Sequence, residues 1–278
     1  MTSNAQIPDT EVHLLESKEV ADTFEISVLR PPEGIPGPFP VIYCTDANNC
    51  FGAAANIVSG MMLGGEIPPV LLVGVGYPIG GDFQDFIRLR TRDFSPSVDA
   101  FQAGQMKLMA DREIACGGAE KFVRFLTTEL REWLSERFEI AEDHTYIGDS
   151  MGGLFGTYVL LNHTTCFNRY VIGSPWLCWD HPISFGFEQN YAAENDDLCA
   201  KVFLAAGGDE HVLYPNLPEL IRPIFETANT ANYTQELADK LNARGYPGLD
   251  LTTRILPNET HFTIMGALIG QGLRVVFD

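Results

Sequence analysis

One serine in this sequence is flanked by glycines at the spacing found around activated nucleophiles. Residues 148–152 read Gly-Asp-Ser-Met-Gly, which fits the pattern G-x-S-x-G. An apolar strand is predicted before this segment, and a helix that starts with small residues is predicted after it. In that context the pattern indicates a strained turn between strand and helix, with the serine hydroxyl exposed. We therefore predict that Ser150 is a nucleophile that forms a covalent acyl intermediate.

Such a serine needs a general base, and the candidates are the histidines His13, His144, His163, His181, His211 and His261. Where this turn occurs, the chain order is serine, acid and then histidine, which favours the two last histidines. His211 directly follows the acid candidates, too close to bond one of them and still face the serine. His261 lies in a polar loop between the last predicted strand and the last predicted helix. We predict that His261 is the base.

The acid that holds the imidazole should follow the predicted strand 201–207. Two carboxylates qualify there, Asp209 and Glu210. The acid fixes the tautomer of the histidine and stabilises the imidazolium. Sequence spacing does not choose between the two residues, so both remain candidates at this point.

Two backbone N–H groups are needed to stabilise the oxyanion that forms during acyl transfer. One is predicted to be the N–H of Met151, the residue after the nucleophile. The other should come from the polar loop after Cys44, where we choose Asn48, with Ala47 and Asn49 as neighbouring alternatives.

Aromatic residues cluster after the strand predicted at 170–174, in a segment (176–199) that we interpret as a small cap. We expect Trp176 and Trp179 to line an apolar substrate pocket, although such a cluster is equally typical of a core. Tyr77 and Arg90 are predicted to line the same pocket, with Arg90 contacting a carboxylate or catechol oxygen. Surface arginines also often form structural ion pairs, here with neighbours such as Asp93.

The elements that must position these residues alternate along the chain. Strands are predicted at residues 23–29, 39–44, 69–75, 145–147, 170–174, 201–207 and 251–256. Helices are predicted at residues 120–138, 151–161, 217–241 and 263–276. This alternation indicates a mostly parallel sheet covered by helices on both faces. We expect one α/β domain over residues 1–278.

The charge of the chain argues against polyanionic partners. Of 278 residues, 18 are Lys or Arg and 37 are Asp or Glu, which gives a formal net charge of −19. Such a surface repels nucleic acids and anionic membranes. No apolar run is long enough to span a bilayer, and the first residues carry no signal-peptide pattern, so a cytoplasmic location is expected.

The cysteines do not suggest a metal site. The six cysteines form no C-x-x-C pair, and two Cys/His pairs, at 163/166 and 178/181, supply too few ligands for zinc. We expect reduced thiols, no metal and no cofactor. The oligomeric state is not predicted.

Several further segments resemble one known family. They are residues 39–48 (FPVIYCTDAN), 90–96 (RTRDFSP), 117–122 (GGAEKF), 174–176 (SPW) and 260–262 (THF). Together with the serine turn, they resemble the Putative esterase branch of the α/β-hydrolases, most closely the siderophore (trilactone) esterases. Two positions depart from that family's pattern, since Asp149 stands where histidine is usual and Ala47 where glycine is usual.

The resemblance implies an α/β-hydrolase fold with a small cap or loop insertion. It also implies that Glu210 is the acid, because the family often has Gly-x-x-Glu and Gly207 to Glu210 has that spacing. The expected activity is serine carboxylic-ester hydrolysis through an acyl-enzyme, on a small siderophore-like or other ester or lactone. An acyltransferase with the same triad and a non-catalytic binding protein are the alternatives.

Overall fold

The computed structural model describes residues 6–278, in which eight strands form one open sheet. The strands are β1 (Thr10–Ser17), β2 (Asp22–Leu29), β3 (Phe39–Thr45), β4 (Leu71–Gly76), β5 (Ile140–Asp149), β6 (Arg169–Gly173), β7 (Ala200–Gly207) and β8 (Leu249–Leu256). Their order across the sheet is β1-β2-β4-β3-β5-β6-β7-β8. The pairs β1–β2 and β2–β4 are antiparallel, and all other neighbours are parallel.

Helices follow most of the strands. They are α1 (Ala47–Gly64), α2 (Phe83–Phe94), α3 (Ala100–Ala110), α4 (Ala119–Arg124), α5 (Leu130–Ser135), α6 (Met151–Asn162), α7 (Ile183–Glu194), α8 (Arg222–Ala228), α9 (Thr230–Arg244) and α10 (Ile264–Phe277). A π-helical turn, Phe125–Glu129, joins α4 to α5. None of the helices described here is long and apolar enough to cross a membrane.

The central strands are buried on both faces because consecutive side chains of a strand point to opposite sides of a sheet. Tyr43 and Tyr146 pack into the core on one face. Their neighbours Ile42 and Ile147 pack into a second core on the other face, together with side chains of α1 and α10. The interpretation of the continuous apolar runs as strands of a sheet with two covered faces is therefore correct. The predicted α/β architecture is confirmed.

Several predicted boundaries differ from the structure. Strand β1 was not predicted, and its apolar residues Val12 and Leu14 lie on the exposed face, which reverses the usual placement of apolar side chains toward the core. The predicted polar loop after Thr45 is the first turn of α1. The helical region predicted at 217–241 is divided into α8 and α9 at Asn229, whose φ of 49° is left-handed and interrupts a helix.

Candidate active site

The turn after β5 holds Ser150 in a strained conformation. Its φ of 60° and ψ of −121° lie outside the regions that a serine normally adopts. The crossing of β5 and α6 is too tight for side chains at its flanks, since a Cβ on Gly148 would lie 2.5 Å from the carbonyl oxygen of Gly152. The backbone N–H of Ser150 donates to the oxygen of Gly173 on β6 at 3.0 Å. This is the predicted geometry of the serine turn, and surrounding contacts hold the strain.

A chain of hydrogen bonds links the hydroxyl of Ser150 to His261 and Glu210. Nε2 of His261 lies 2.9 Å from Oγ of Ser150, and Nδ1 lies 2.9 Å from Oε2 of Glu210. Ser150 follows β5, Glu210 follows β7 and His261 follows β8. The three side chains meet because parallel strands end at the same edge of a sheet, where sites in this fold class form.

Glu210 is fixed by further donors. Its other carboxylate oxygen, Oε1, accepts from the hydroxyl of Ser174 and from the backbone N–H of Gly207, the latter at 2.7 Å. Burial alone would raise the pKa of Glu210, but these bonds and the contact with His261 hold it below its usual value. Asp209, the other acid candidate, contributes its backbone N–H to the oxygen of Glu259 at 2.9 Å. The structure thus brings Glu210, and not Asp209, to the imidazole.

The imidazole of His261 lies among three aromatic rings. Trp176, Phe225 and Phe262 meet it edge-on, with centroid separations of 5.3, 5.0 and 5.8 Å. Burial lowers the pKa of His261, but the bond to Glu210 and the negative charge of Asp149 outweigh this effect and raise the pKa. The rings restrict the orientation of the imidazole, and the carboxylates favour its protonated form.

The predicted oxyanion donors lie at two helix N-termini beside the serine. Met151 is the first residue of α6, and no described residue accepts a hydrogen bond from its N–H. At the start of α1, the N–H of Asn49 donates to the oxygen of Asp46 at 2.9 Å, while those of Ala47 and Asn48 have no acceptor within residues 6–278. The side-chain amide of Asn48 binds the backbone of Tyr77, with N···O distances of 2.7 and 2.8 Å.

A cavity of about 310 Å³ opens above Ser150. Its walls are mainly apolar and come from α1, α2, α3, α8 and the loops around the serine and histidine. The apolar lining residues are Phe83, Phe86, Ile87, Met106, Met109, Met151, Trp176, Ile221, Ile224, Phe225, Phe262 and Met265. A concave, apolar pocket with a few polar groups is the usual form of a small-molecule site.

Only two of the four predicted substrate-binding residues line this cavity. Trp176 and Arg90 do so. Trp179 is fully buried, and its Nε1 donates to the oxygen of Ser97 at 3.3 Å. Tyr77 is buried as well and donates its hydroxyl to Asp93 at 3.0 Å. Both rings are therefore core residues outside the cavity wall.

Sequence reasoning missed the partner of Arg90. Nε and Nη2 of Arg90 donate to the two carboxylate oxygens of Asp46, both at 2.8 Å. Asp46 is buried, with a φ of 57°, in the turn between β3 and α1. The available signal was an aspartate directly after an apolar strand, but nothing in the sequence links it to a residue 44 positions away.

The segment 176–199 forms a loop and helix α7. Of its residues, only Trp176 lines the cavity over Ser150 among the described residues. Much of the remaining wall comes from α2, α3 and α8, and Arg90 in α2 is the one residue of these three helices that was predicted for the site. Within residues 6–278, no group of three or more His, Cys, Asp or Glu side chains is arranged to hold a metal ion.

Known proteins match large parts of this chain. A model of the family described as "Putative esterase" matches residues 17–248. Ferri-bacillibactin esterase BesA of Bacillus subtilis is 28% identical over 285 residues, 98% of this chain and 91% of that protein. The siderophore triacetylfusarinine C esterase of Aspergillus fumigatus is 29% identical over 152 residues, 52% of this chain and 46% of that protein.

Solved structures show the same fold. The BES protein from Bacillus cereus superposes with a TM-score of 0.79 at 26% identity, over 100% of this chain and 99% of that chain. Siderophore hydrolase EstB from Aspergillus nidulans gives a TM-score of 0.79 at 19% identity, over 99% and 96% of the two chains, and supports the fold alone. With the family match over most of its length, the chain belongs to the Putative esterase family and is an esterase on the α/β-hydrolase fold.

Proposed function

We propose that this protein is a serine carboxylic-ester hydrolase that works through an acyl-enzyme, with Ser150 as nucleophile, His261 as base and Glu210 as acid. The observation that carries the proposal is the continuous hydrogen-bonded chain from Ser150 Oγ through His261 to Glu210, with 2.9 Å at both contacts of the imidazole. Nucleophile and base within this distance, and a third group that orients the base, are the requirements of the mechanism.

In the acylation step, Ser150 Oγ attacks the ester carbonyl while His261 Nε2 takes its proton. Glu210 remains ionised and stabilises the imidazolium. The N–H of Met151 and one N–H at the start of α1, from Asn48 or Ala47, stabilise the oxyanion. The imidazolium then gives its proton to the leaving alcohol, and the acyl group stays on the serine.

Deacylation repeats these steps with water. His261 removes a proton from the water that attacks the acyl-enzyme and then returns it to Oγ of Ser150 as the bond to the acyl group breaks, which releases the carboxylic acid and regenerates the serine. An alcohol in place of water would make the same site an acyltransferase. We propose hydrolysis, since the named relatives BesA and triacetylfusarinine C esterase are esterases.

The substrate class follows from the same relatives. We propose that a siderophore-type ester or lactone binds in the apolar cavity between α2, α3 and α8, beside Trp176. Residues 1–278 would act as one domain, in which the segment 176–199 contributes part of the cover over the site.

The decisive experiment replaces the nucleophile. Ser150→Ala should lower the hydrolysis of a short p-nitrophenyl ester by about 10⁶-fold, because the acyl-enzyme cannot form. A fluorophosphonate probe should label the wild type and not the variant, and the two proteins should unfold at the same urea concentration. Ser135→Ala, at an exposed serine in α5, is the matched control and should retain full activity and labelling. Undiminished hydrolysis by Ser150→Ala would refute the proposal, and product analysis with added alcohol separates hydrolysis from acyl transfer.

A further inference from the structure

The charged groups that line the cavity over Ser150 are Asp46, Arg90, Asp149 and His261. Among the described residues that line this cavity, Arg90 is the only Arg or Lys. Both oxygens of Asp46 accept from Arg90, so these two charges neutralise each other inside the wall. Asp46 uses Nε and Nη2 of Arg90, so an anionic substrate group would meet a guanidinium whose charge is already paired.

Glu210, which lies behind His261, is also fully engaged. Its two oxygens are bonded to the imidazole, the hydroxyl of Ser174 and the N–H of Gly207. Neither this carboxylate nor that of Asp46 is free to bind a ligand.

Asp149 is different, because its carboxylate accepts no hydrogen bond from the described residues. Oδ1 is closed off from solvent, and no described residue donates a hydrogen bond to it. It packs where β6 and α10 approach, since a Cβ on Gly173 would lie 2.6 Å from Oδ1 and 2.3 Å from Leu268 Cδ2. Burial raises the pKa of Asp149 to about 6, so that the group is mainly ionised at neutral pH. A carboxylate in this position is costly without a compensating cation or donor.

Asp46 is paired with Arg90, and Glu210 is bonded to His261, so among the described residues the carboxylate left without a partner in this lining is that of Asp149. We propose that Asp149 is a specificity-determining residue that recognises a positively charged nitrogen on the substrate, so that the enzyme favours cationic esters over anionic ones. This inference rests on the proposed esterase function and adds the charge of its substrate. Arg90 also lines the cavity and is paired with Asp46, and its contact with a substrate carboxylate or catechol oxygen stays a prediction.

The test compares three p-nitrophenyl esters of equal acyl length, whose chains end in trimethylammonium, in its uncharged tert-butyl isostere, or in sulfonate. Release of p-nitrophenol gives kcat/KM for each ester. The wild type should prefer the ammonium ester over the isostere by about ten-fold, because a half-buried ion pair at contact distance contributes at least that much. The sulfonate ester should be the poorest substrate.

Asp149→Asn keeps the size of the side chain and removes its charge, and it should reduce the ammonium preference to about one. Asp149→Glu should retain it. Asp250→Asn, at an exposed carboxylate on β8 far from the cavity lining, changes the net charge equally and should leave the preference intact. Fluorophosphonate labelling of Ser150 shows that each variant keeps a folded site.

The outcomes separate the two proposals. If none of the esters is hydrolysed, the esterase function itself is wrong. If the uncharged ester is hydrolysed but the wild type prefers sulfonate or ignores charge, the esterase function stands and the role of Asp149 is refuted. An ammonium preference that survives in Asp149→Asn contradicts the inference as well. Should Asp149→Asn fail to fold, the order of the three esters in the wild type still tests the proposal, because a wild type that prefers sulfonate or ignores charge refutes it.

Discussion

At the scale of single residues, the chemistry of the site depends on the charges around one imidazole. His261 is buried, which by itself lowers its pKa, yet the bond to Glu210 and the charge of Asp149 raise the pKa above its usual value. The groups that face Asp149 in turn are His261, Glu210, Asp46 and Arg90. The protonation state of His261 is thus set by side chains from several elements.

The pH dependence of hydrolysis follows from these shifts. His261 accepts a proton only when neutral, so kcat/KM should fall as the pH drops through its raised pKa, by about ten-fold per pH unit. Removing the negative charge in Asp149→Asn lowers the pKa of His261, and the acid limb of the profile should move to lower pH. Initial rates between about pH 5 and pH 9 measure both profiles. An acid limb that stays in place in the variant would show that Asp149 does not act on the imidazole.

The acid of the triad can be identified by a matched pair of neighbours. Glu210→Gln removes the charge that orients and stabilises the imidazolium, and we expect a loss of kcat of about 10³- to 10⁴-fold. Asp209→Asn should retain activity within about two-fold, because its side chain does not reach His261. Steady-state kinetics on a p-nitrophenyl ester distinguishes them. Equal losses in the two variants would contradict the assignment of Glu210.

At the scale of elements, the cavity wall depends on how α2 is attached to the turn between β3 and α1. The attachment consists of two hydrogen bonds from Arg90 to Asp46. Both side chains are only 10% exposed. The guanidinium also lies 5.4 and 5.5 Å from the ring centroids of Phe86 and Phe94. A buried pair of this kind fixes geometry, and the loss of one member leaves the other charge unpaired.

We therefore expect Arg90→Leu to lower the free energy of unfolding by about 3–5 kcal/mol. The control lies two positions away in the same helix, where Arg88 pairs with Asp85 and both side chains are partly exposed. Arg88→Leu should cost about 1 kcal/mol or less. Urea unfolding followed by circular dichroism measures both values. Similar values for the two variants would show that the buried pair does not stabilise the attachment of α2.

The sequence predicted the elements that carry the triad better than those that form the cavity wall. The strand before Ser150 and the helix after it were recognised because apolar residues and glycines follow local rules there, although β5 begins at Ile140 and not at 145. The helix α2 was not predicted, since its buried face includes Arg90 and Asp93, whose burial depends on distant partners. Local periodicity does not reveal such pairs.

At the scale of the whole molecule, the surplus of negative charge acts on stability. With a net charge of −19, repulsion between surface carboxylates opposes the compact state. Added salt screens this repulsion, so raising NaCl from about 0.02 to 0.3 M should increase the Tm by a few degrees. Thermal unfolding at pH 7.5 measures the effect. It should shrink as the pH approaches the isoelectric point near 4.6, where the net charge vanishes. A Tm that falls with salt would indicate that attractive ion pairs dominate the surface.

The sequence by itself determined the two-sided sheet and predicted the tight turn at Ser150 and the choice of His261, because each depends on local spacing and on the order of elements along the chain. Residue spacing left Asp209 and Glu210 open and the family resemblance favoured Glu210, while only the tertiary structure brings Glu210 to the imidazole, places Trp179 and Tyr77 in the core, and joins Arg90 to Asp46. These outcomes depend on which side chains meet at the end of the sheet. Residues far apart in the chain come into contact there, and their separation carries no local pattern.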